Sequence, residues 1–421
     1  MNHNKNDNID LEELPKEVVE RYCRQMTLSE ISSNNQMKLL NSKVLIIGAG
    51  GLGSPCLMYL AGSGVGTIGI VDGDVVESSN LHRQVIHSTK NIGINKALSA
   101  QMFINNYNPL IKVITHQERF NNKNAYNITK EYDMLIDCSD NPATRYLVND
   151  IAVLLNIPLV SGSAIRFQGQ LTVLVTNEIN NKINNNNLNN NIGCYRCLFP
   201  TPSPALTVGA CSEEGVFGPV PGVIGVLQAT EALKLIIQLK EGLLCNKMLI
   251  YDAVDMKFKV FKIKGKKLNC VICGDKKITS KEWITNFNYE EFCIPSSCKL
   301  PKRVILPEKH NIKWNEINDI NNNNKIFIDV RPEDQFNFVN TNRKDLLTRI
   351  NCINIPLDKL NNHIKNNTLP KDKEVYCMCR AGNKSTYAVD LLIKNGYTKV
   401  YNIEDGILGY NKLIDSNMPI Y

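Results

Sequence analysis

The chain has 421 residues, which is too many for one ordinary domain, and 43% of them are hydrophobic, enough to fill buried cores. No run of about 20 apolar residues is present, which excludes a membrane-spanning helix. The net charge of +7 is modest for this length and does not indicate direct nucleic-acid binding. Residues 1–14 are polar and predicted to be disordered, without the features of a signal or transit peptide, so we expect a cytosolic location.

A polar helical stretch over 16–40 leads into a predicted strand–helix–strand unit. The apolar run 44–47 predicts a buried parallel strand, and the sequence G-x-G-x-x-G over 48–53 follows it at once. A helix is expected over 52–61, and a second strand over 67–71 ends at Asp72. Glycines at such a turn let a phosphate approach backbone N–H groups, and an acid after the second strand is placed to hold a ribose hydroxyl. The unit therefore predicts a nucleotide site.

The glycines leave the nature of the nucleotide open, since alone they favour a dinucleotide and a dehydrogenase. Two other features favour a triphosphate. Arg83, in the polar loop 79–84, and Lys96 after it suit the negative charge that builds up on a leaving pyrophosphate. A third predicted strand, 134–136, is followed by Asp140, whose carboxylate is placed to coordinate Mg²⁺ near the phosphates.

Four of the fourteen cysteines form two C-x-x-C pairs. Residues 177–192 are an Asn-rich insert that cannot bury enough apolar surface to fold. The first pair, Cys194 and Cys197, follows this insert directly, and Cys270 and Cys273 come about 70 residues later. Two such pairs favour one structural, tetrahedral Zn²⁺ site, with redox-active pairs as the competing interpretation.

A lone cysteine, Cys211, lies between these pairs in a loop rich in glycine and proline, just before a helix predicted over 223–239. On spacing alone it is either a nucleophile or a residue without a chemical role. Residues 276–324 are polar and predict a linker with one or two short helices.

A second domain is predicted from residue 325 onward. Three predicted strands precede a cysteine loop, at 326–329, 352–357 and 374–378. Cys379 begins the loop and a helix over 386–394 follows it, so the sulfur lies among backbone N–H groups at a positive helix end, which favours a thiolate or persulfide. A tyrosine-phosphatase loop is disfavoured because Ser385, and not arginine, stands six positions after Cys379. Cys377 is predicted to be a core residue.

The motifs of the first part resemble the adenylating domain of the ubiquitin-activating superfamily, in the branch that activates sulfur-carrier proteins. The resemblance covers roughly 15–275 and is carried by Arg21-Tyr22-x-Arg24-Gln25, the glycine turn, Ser79–Gln84, Asp140-Asn141 and Ser161–Arg166. The second part resembles a rhodanese, or sulfurtransferase, domain through its short cysteine loop and the motifs Asp329-Val-Arg331, Ile355-Pro356-Leu357 and Glu404-Asp-Gly406. The combination is similar to the family of eukaryotic molybdopterin-synthase sulfurylases, which also activate the ubiquitin-related modifier.

The resemblance implies an α/β fold: a Rossmann-like adenylating domain with a mainly parallel sheet and a zinc knuckle, plus a smaller α/β rhodanese-like domain over 325–421. It implies catalytic roles for Cys211 and Cys379 and structural zinc held by the two C-x-x-C pairs. Arg24 resembles an arginine that crosses a homodimer interface to the partner's ATP. The residues implied to bind ATP with Mg²⁺ are Arg24, Gly51, Asp72, Ser79, Asn80, Leu81, His82, Arg83, Lys96, Asp140 and Asn141.

The chemistry that the family implies begins with ATP and the C-terminal glycine of a ubiquitin-like sulfur carrier, either the ubiquitin-related modifier or the small subunit of molybdopterin synthase. A donor such as a cysteine desulfurase would load Cys379, and the resulting thiocarboxylate would serve tRNA wobble-uridine 2-thiolation and molybdenum cofactor synthesis. Lys384 stands where family members often have aspartate, which adds positive charge beside the sulfur. The alternatives are a ubiquitin-type activator that passes on a thioester and an NAD-dependent oxidoreductase.

Overall fold

The computed structural model describes residues 14–175, 192–202, 215–239, 241–275, 277–293, 306–318, 323–340, 352–414 and 416. Cys211 and nearly all of the predicted Asn-rich insert lie outside these residues. The chain divides into two compact units, Met1–Cys298 and Lys299–Tyr421. No helix among the described residues is both long enough and apolar enough to cross a membrane.

The first unit is built on an eight-stranded sheet. Its strands are β1 Lys43–Ile47, β2 Thr67–Val71, β3 Lys112–His116, β4 Met134–Asp137, β5 Leu159–Ile165, β6 Gln168–Leu174, β7 Lys247–Asp252 and β8 Lys257–Lys262. They lie in the order β3-β2-β1-β4-β5-β6-β7-β8, with the first five parallel and the last three antiparallel to their neighbours. The central strands are apolar because helices cover both of their faces. The predicted mainly parallel α/β fold is confirmed.

Ten helices are described in this unit. They are α1 Lys16–Met26, α2 Ser32–Asn41, α3 Gly53–Ser63, α4 Lys96–Tyr107, α5 Ala125–Thr129, α6 Pro142–Leu155, α7 Tyr195–Leu198, α8 Pro219–Ile236, α9 Lys281–Asn286 and α10 Tyr289–Cys293. Helices α3, α4 and α8 pack on the sheet face that carries Ile46, and α5, α6, α9 and α10 pack on the face that carries Leu45 and Ile47. Helix α8 begins four residues before the predicted start because proline is tolerated in the first turn of a helix.

The predicted linker, 276–324, is packed at both ends. Ile284 and Tyr289, from α9 and α10, are buried in the core of the first unit. Trp314 and Ile317 are buried in the core of the second. The packing division after Cys298 therefore lies inside the segment predicted as a linker. Because this segment is polar overall, the sequence analysis overlooked the few apolar side chains that each unit buries.

The second unit is a smaller, five-stranded α/β structure. Its strands are β9 Asn311–Ile312, β10 Lys325–Asp329, β11 Cys352–Asn354, β12 Glu374–Met378 and β13 Val400–Ile403, in the order β11-β10-β12-β13-β9. All of the pairings are parallel. Its helices are α11 Glu333–Asn340, α12 Leu357–Lys365, α13 Ser385–Lys394 and α14 Gly406–Leu413. The sequence did not predict β9, because two residues are too few to show a strand period.

A buried arginine joins α7 to the helices on one face of the first sheet. Arg196 forms a bidentate pair with Asp150 of α6, with its Nη2 2.7 Å from Oδ2. The guanidinium lies 4.6–5.9 Å from the centroids of five aromatic rings, those of Tyr146, Trp283, Phe287, Tyr289 and Phe292. Burial raises the pKa of the Asp150 carboxyl, and the pairing with Arg196 opposes that rise. The charge pair holds α6, α7, α9 and α10 together.

We expect Asp150→Ala to lower the unfolding free energy of the first unit by about 3–5 kcal/mol, because it leaves a buried guanidinium without its counter-ion. The chain has two tryptophans, one in each unit, so Trp283 fluorescence in a Trp314→Phe background reports urea unfolding of the first unit alone. The control is Glu20→Ala, which removes an exposed pair with Lys16 and should change the free energy by less than about 1 kcal/mol. Equal effects of the two variants would contradict the assignment.

Candidate functional site

The glycine turn after β1 is shaped by two close backbone approaches. Gly48 has φ +98°, and a Cβ there would lie 2.8 Å from the carbonyl oxygen of Cys138, just after β4. A Cβ on Gly53 would lie 2.0 Å from the carbonyl oxygen of Gly48. Larger residues are therefore excluded, and the chain bends sharply from β1 into α3. Strand β1 lies between β2 and β4, so the turn is at the crevice where open α/β sheets bind ligands.

Asp72, at the end of β2, is hydrogen-bonded to the glycine turn. Its Oδ2 accepts from the N–H of Ala49 at 2.8 Å, and its Oδ1 accepts from the N–H of Asp74 at 2.9 Å. Burial raises the pKa of the Asp72 carboxyl, and the Lys96 charge opposes the rise. The residue predicted to hold a ribose thus also fixes the turn.

His87, which the sequence analysis did not single out, holds the same turn through a hydrogen bond to its backbone. Its Nε2 lies 2.9 Å from the carbonyl oxygen of Ala49 and its Nδ1 lies 2.8 Å from Ser99 Oγ. Burial lowers the pKa of His87, which favours the neutral ring. Because a carbonyl only accepts, Nε2 carries the proton and Nδ1 accepts from the serine hydroxyl.

Two buried polar atoms next to the glycine turn have no hydrogen-bond partner among the described residues. They are Ser54 Oγ, at the start of α3, and Gln84 Oε1. Buried polar atoms are nearly always hydrogen-bonded in folded proteins, so both suit contacts with a bound molecule. A polar nucleotide in the crevice fits this local chemistry.

The predicted phosphate-binding cations lie at the same edge of the sheet. A Cβ on Gly51 would lie 3.4 Å from Arg83 Cγ, which places Arg83 against the turn. Arg83 donates to Asn80 Oδ1 at 2.7 Å. Lys96 is 7% exposed at the start of α4, and its Nζ lies 3.1 Å from Asp74 Oδ2. Ser79, Asn80, Leu81 and His82 form the adjoining turn.

The loop after β4 is held by a buried carboxylate. Asp137 accepts from Ser139 Oγ at 2.6 Å, from Ser161 Oγ at 3.1 Å and from Arg145 Nε at 3.2 Å. On α8, Gln228 donates to the carbonyl of Asp137 at 2.7 Å. The sequence analysis missed Arg145 and Gln228, although a polar residue inside an apolar helical pattern, such as Gln228, is a usable signal.

The remaining predicted ATP ligands have different settings. Asp140 is exposed beyond this network, at the carboxyl edge of the sheet. Asn141 caps α6, because its Oδ1 accepts from the N–H of Thr144 at 2.8 Å. Arg24 is exposed on α1, and its reach into a partner subunit stays a prediction.

The four cysteines of the C-x-x-C pairs come together, although some 70 residues separate the pairs in sequence. Their Sγ atoms all lie within 4.8 Å of one another, with Cys194 3.7 Å from Cys270 and Cys197 3.4 Å from Cys273. A tetrahedral zinc with Zn–S bonds of about 2.3 Å has sulfurs about 3.8 Å apart. The N–H of Lys267 also points at Cys197 Sγ, at 3.3 Å. The cluster fits a Zn²⁺ ion.

The second candidate site is the loop that follows β12. Cys379 begins the loop and is 4% exposed. Its carbonyl accepts from the N–H of Ile407 at 2.9 Å, and a Cβ on Gly406 would lie 2.2 Å from the same oxygen. The loop is therefore fastened to the start of α14. Ser385 Oγ lies 3.5 Å from Cys379 Sγ.

Two neighbouring groups frame this loop without contributing a reactive atom. Asp329, at the end of β10, forms a fully buried bidentate pair with Arg331, with Nη2 2.6 Å from Oδ2. Cys377, within β12, is fully buried in the core, as predicted, and burial raises the pKa of its thiol. A thiol fixed inside a strand of the core is a poor nucleophile, whereas Cys379 begins the loop after the strand, so Cys379 is the better candidate.

Comparisons with known proteins agree with this two-part architecture. The ThiF family matches residues 22–272, and the rhodanese-like domain matches residues 314–413. The protein named adenylyltransferase and sulfurtransferase MOCS3 of Dictyostelium discoideum is 42% identical over 97% of each chain. The MOCS3 protein of Arabidopsis thaliana is 38% identical over 97% of this chain and 86% of its own. The UBA4 protein of Saccharomyces cerevisiae, which carries the same functional name, is 39% identical over 97% of this chain and 91% of its own.

Solved structures show the same fold for the first unit. A crystal structure of E. coli MccB with ATP has a TM-score of 0.51 and 27% identity, over 62% of this chain and 76% of that chain. Another, of MccB with MccA-N7isoASN, has a TM-score of 0.52 and 25% identity, over 62% of this chain and 77% of that chain. The chain therefore belongs to the ThiF family and, with its rhodanese-like domain, to the two-domain proteins named adenylyltransferase and sulfurtransferase.

Proposed function

We propose that this enzyme adenylates the C-terminal glycine of a small ubiquitin-like carrier protein and then converts that end into a thiocarboxylate. The observation that carries the proposal is the presence of two sites in one chain: a glycine turn lined by cations and a cysteine at a rhodanese-type loop. A dehydrogenase would leave the cysteine loop without a role. A ubiquitin-type activator would pass its thioester onward and would not need a second cysteine that carries sulfur as a persulfide.

The first step joins the carrier carboxylate to the α-phosphate of ATP and expels pyrophosphate. The phosphates would lie against the N–H groups of the glycine turn, near Gly51 and the start of α3. Arg83 and Lys96 would neutralise the leaving pyrophosphate, and Asp72 would hold the ribose. The two unsatisfied atoms, Ser54 Oγ and Gln84 Oε1, would complete the polar contacts.

Two further features belong to this step. Asp140 is exposed at the same edge of the sheet and would hold Mg²⁺, which neutralises phosphate charge. Asn141 would orient this loop through its cap on α6, and Arg24 would reach the ATP of the partner in a homodimer. Asn80, Leu81, His82 and Ser79 would surround the nucleotide from their adjoining turn.

In the second step the Cys379 thiolate attacks the terminal sulfur of a persulfide on the donor, so that the donor's thiolate leaves and a persulfide remains on Cys379 Sγ. The terminal sulfur then attacks the carbonyl of the acyl-adenylate, so that a C–S bond forms and AMP leaves. Attack by the Cys211 thiolate on the resulting acyl disulfide would release the thiocarboxylate and leave a Cys211–Cys379 disulfide. Reduction by a thiol would then restore both cysteines. In the alternative order the adenylate first acylates Cys211 with loss of AMP and the Cys379 persulfide then attacks the thioester, which splits one hard transfer into two easier ones.

The carriers we propose are the ubiquitin-related modifier and the small subunit of molybdopterin synthase, with a cysteine desulfurase as the donor. Their thiocarboxylates would serve tRNA 2-thiolation and molybdenum cofactor synthesis in the cytosol. The names of the relatives support the adenylyltransferase and sulfurtransferase activities on which these uses depend.

We also propose that the four-cysteine cluster holds one structural zinc. All four protein ligands are cysteines, so a tetrahedral ion would have no open position for substrate. The ion would join α7 to the segment around Cys270 and would stabilise the first unit without entering the chemistry.

Asp140→Asn is expected to lower ATP–pyrophosphate exchange by about 100-fold, because it removes a carboxylate that would hold Mg²⁺ beside the phosphates. Exchange is measured with radiolabelled pyrophosphate in the presence of a carrier that ends in Gly-Gly. The control is Asp133→Asn, an exposed carboxylate at the opposite end of β4, which should leave exchange unchanged. Equal exchange rates for wild type and Asp140→Asn would remove Asp140 from the proposal.

Cys379→Ala is expected to abolish thiocarboxylate formation while ATP–pyrophosphate exchange continues at the wild-type rate. Intact mass spectrometry of the carrier, incubated with enzyme, ATP, Mg²⁺ and thiosulfate, detects the replacement of one oxygen by sulfur. Cys377→Ala, two residues earlier on the same strand, is the matched control and should retain transfer. Undiminished thiocarboxylate formation by Cys379→Ala would show that another group carries the sulfur.

Cys197→Ser is expected to reduce the zinc content from about one ion per chain and to destabilise the first unit. Zinc is measured by atomic absorption, and stability by urea unfolding followed through Trp283, which packs against the cluster. Cys245→Ser, a cysteine outside the cluster, is the control for zinc content. Full zinc content in Cys197→Ser would place the metal elsewhere.

A further inference from the structure

A chain of three buried or half-buried polar side chains leads from the sheet of the second unit to the sulfur of Cys379. Ser385 Oγ lies 3.5 Å from Cys379 Sγ and 2.6 Å from Asn402 Oδ1. Asn402 Nδ2 in turn lies 3.1 Å from Asn311 Oδ1. Ser385 is 0% exposed and Asn402 is 3% exposed. Neither the proposed nucleotide chemistry nor the zinc site involves these three side chains.

The register of the sheet explains why these residues meet. Asn402 of β13 is paired with Cys377 of β12 on one side and with Asn311 of β9 on the other. Ser385 is the first residue of α13, directly after the cysteine loop. Strands β9 and β13 and the start of α13 therefore place three polar groups in a row that ends at the Cys379 sulfur, just after β12.

The chain can satisfy its hydrogen bonds in two directions. A serine hydroxyl has one proton, and a carboxamide presents either its oxygen or its NH₂ after a half-turn. In the first direction Ser385 donates to Asn402 and Asn402 donates to Asn311, which leaves a serine lone pair facing the sulfur. In the second, Asn311 donates to Asn402, Asn402 donates to Ser385, and the serine proton points at the sulfur.

The two directions suit the two charge states of the sulfur. A neutral S–H group needs an acceptor, which the first direction supplies. A buried thiolate or persulfide anion needs a donor, because a buried charge without a hydrogen bond is costly. Since both amides turn together, no buried polar atom of the chain loses its partner in either state.

We propose that Asn311, Asn402 and Ser385 form a reversible hydrogen-bond chain that accepts from Cys379 when its sulfur is neutral and donates to it when it is anionic. Ser385 makes the contact, and the two asparagines are positioning residues. The inference rests on the proposed role of Cys379 as sulfur carrier, and it adds the groups that let one site hold the sulfur before and after it acquires charge.

Other charged or titratable groups on the elements around this loop are the same in every variant of the test. They are Arg380 and Lys384 in the loop, Glu404 and Asp405 before α14, the Asp329–Arg331 pair after β10, and the Cys377 thiol on β12. They set a constant background, so a difference between variants reports the hydrogen-bond chain.

The test is the pH dependence of iodoacetamide alkylation of Cys379 in the full chain, read by peptide mass spectrometry that separates Cys379 from Cys377. Alkylation follows the thiolate fraction and does not require sulfur transfer, so its outcome is independent of the proposed function. Ser385→Ala should move the midpoint of the profile upward by about one pH unit, because the anion loses a charge-assisted hydrogen bond. The control is Thr386→Ala, which removes the next hydroxyl along α13. The Thr386 hydroxyl donates to the carbonyl of Asn383, so its loss should leave the profile unchanged.

Asn311→Asp tests the reversal. A carboxylate only accepts, so Asn402 must turn its NH₂ toward residue 311 and its oxygen toward Ser385, which locks the first direction. The midpoint should again rise, and the rise should be lost when the same change is made in Ser385→Ala, where the hydrogen-bond chain is broken but the field of the new carboxylate remains.

Two results would overturn the proposal. The first is a Ser385→Ala profile with the same midpoint as wild type, whether its alkylation rates are unchanged or are lowered by the same factor at every pH. Either result indicates a structural role only. The second is a shift in Asn311→Asp that is absent, or that persists unchanged in the Ser385→Ala background, which shows that the serine acts without a reversible chain.

Discussion

The structure depends on backbone contacts so close that only glycine fits, at the carboxyl ends of the parallel strands in each of the two sheets. In the first unit Gly48 approaches the carbonyl of Cys138, which joins the end of β1 to the end of β4. In the second unit Gly406 approaches the carbonyl of Cys379 in the same way. Both contacts hold a loop at a sheet edge, where backbone N–H groups are directed at whatever binds there.

Buried polar networks keep these loops in place. Asp137 and Arg145 fix the loop after β4, while Asp72 and His87 fix the glycine turn through hydrogen bonds to Ala49. A buried polar group without partners is costly, so each of these networks favours one arrangement of its loop. The sulfur site differs, because the proposed reversible hydrogen-bond chain would let the same loop conformation hold the Cys379 sulfur in both its neutral and its anionic state.

The two units form their different sites by the same structural principle. Parallel strands gather residues from distant parts of the chain at one edge, so a site can be assembled from loops that are far apart in sequence. In the first unit this edge carries the glycine turn with Arg83 and Lys96 near it, and in the second it carries Cys379. The Arg196–Asp150 pair joins helices of the first unit, and the four cysteines bring α7 to the turn around Cys270.

The sequence by itself determined the strand–helix–strand unit with its glycine turn and the cysteine pairs, because each depends on residue type and short-range spacing, and the family resemblance implied the fold class. It placed β2 and β12 at their observed bounds, since short apolar runs define strands strongly. Only the tertiary structure decided that α9 and α10 belong to the first core, that Arg145 and Gln228 hold the loop before Asp140, and that Asn311 and Asn402 lead to Cys379. These contacts join residues far apart in the chain, and strand pairing and burial, which no local pattern encodes, bring them together.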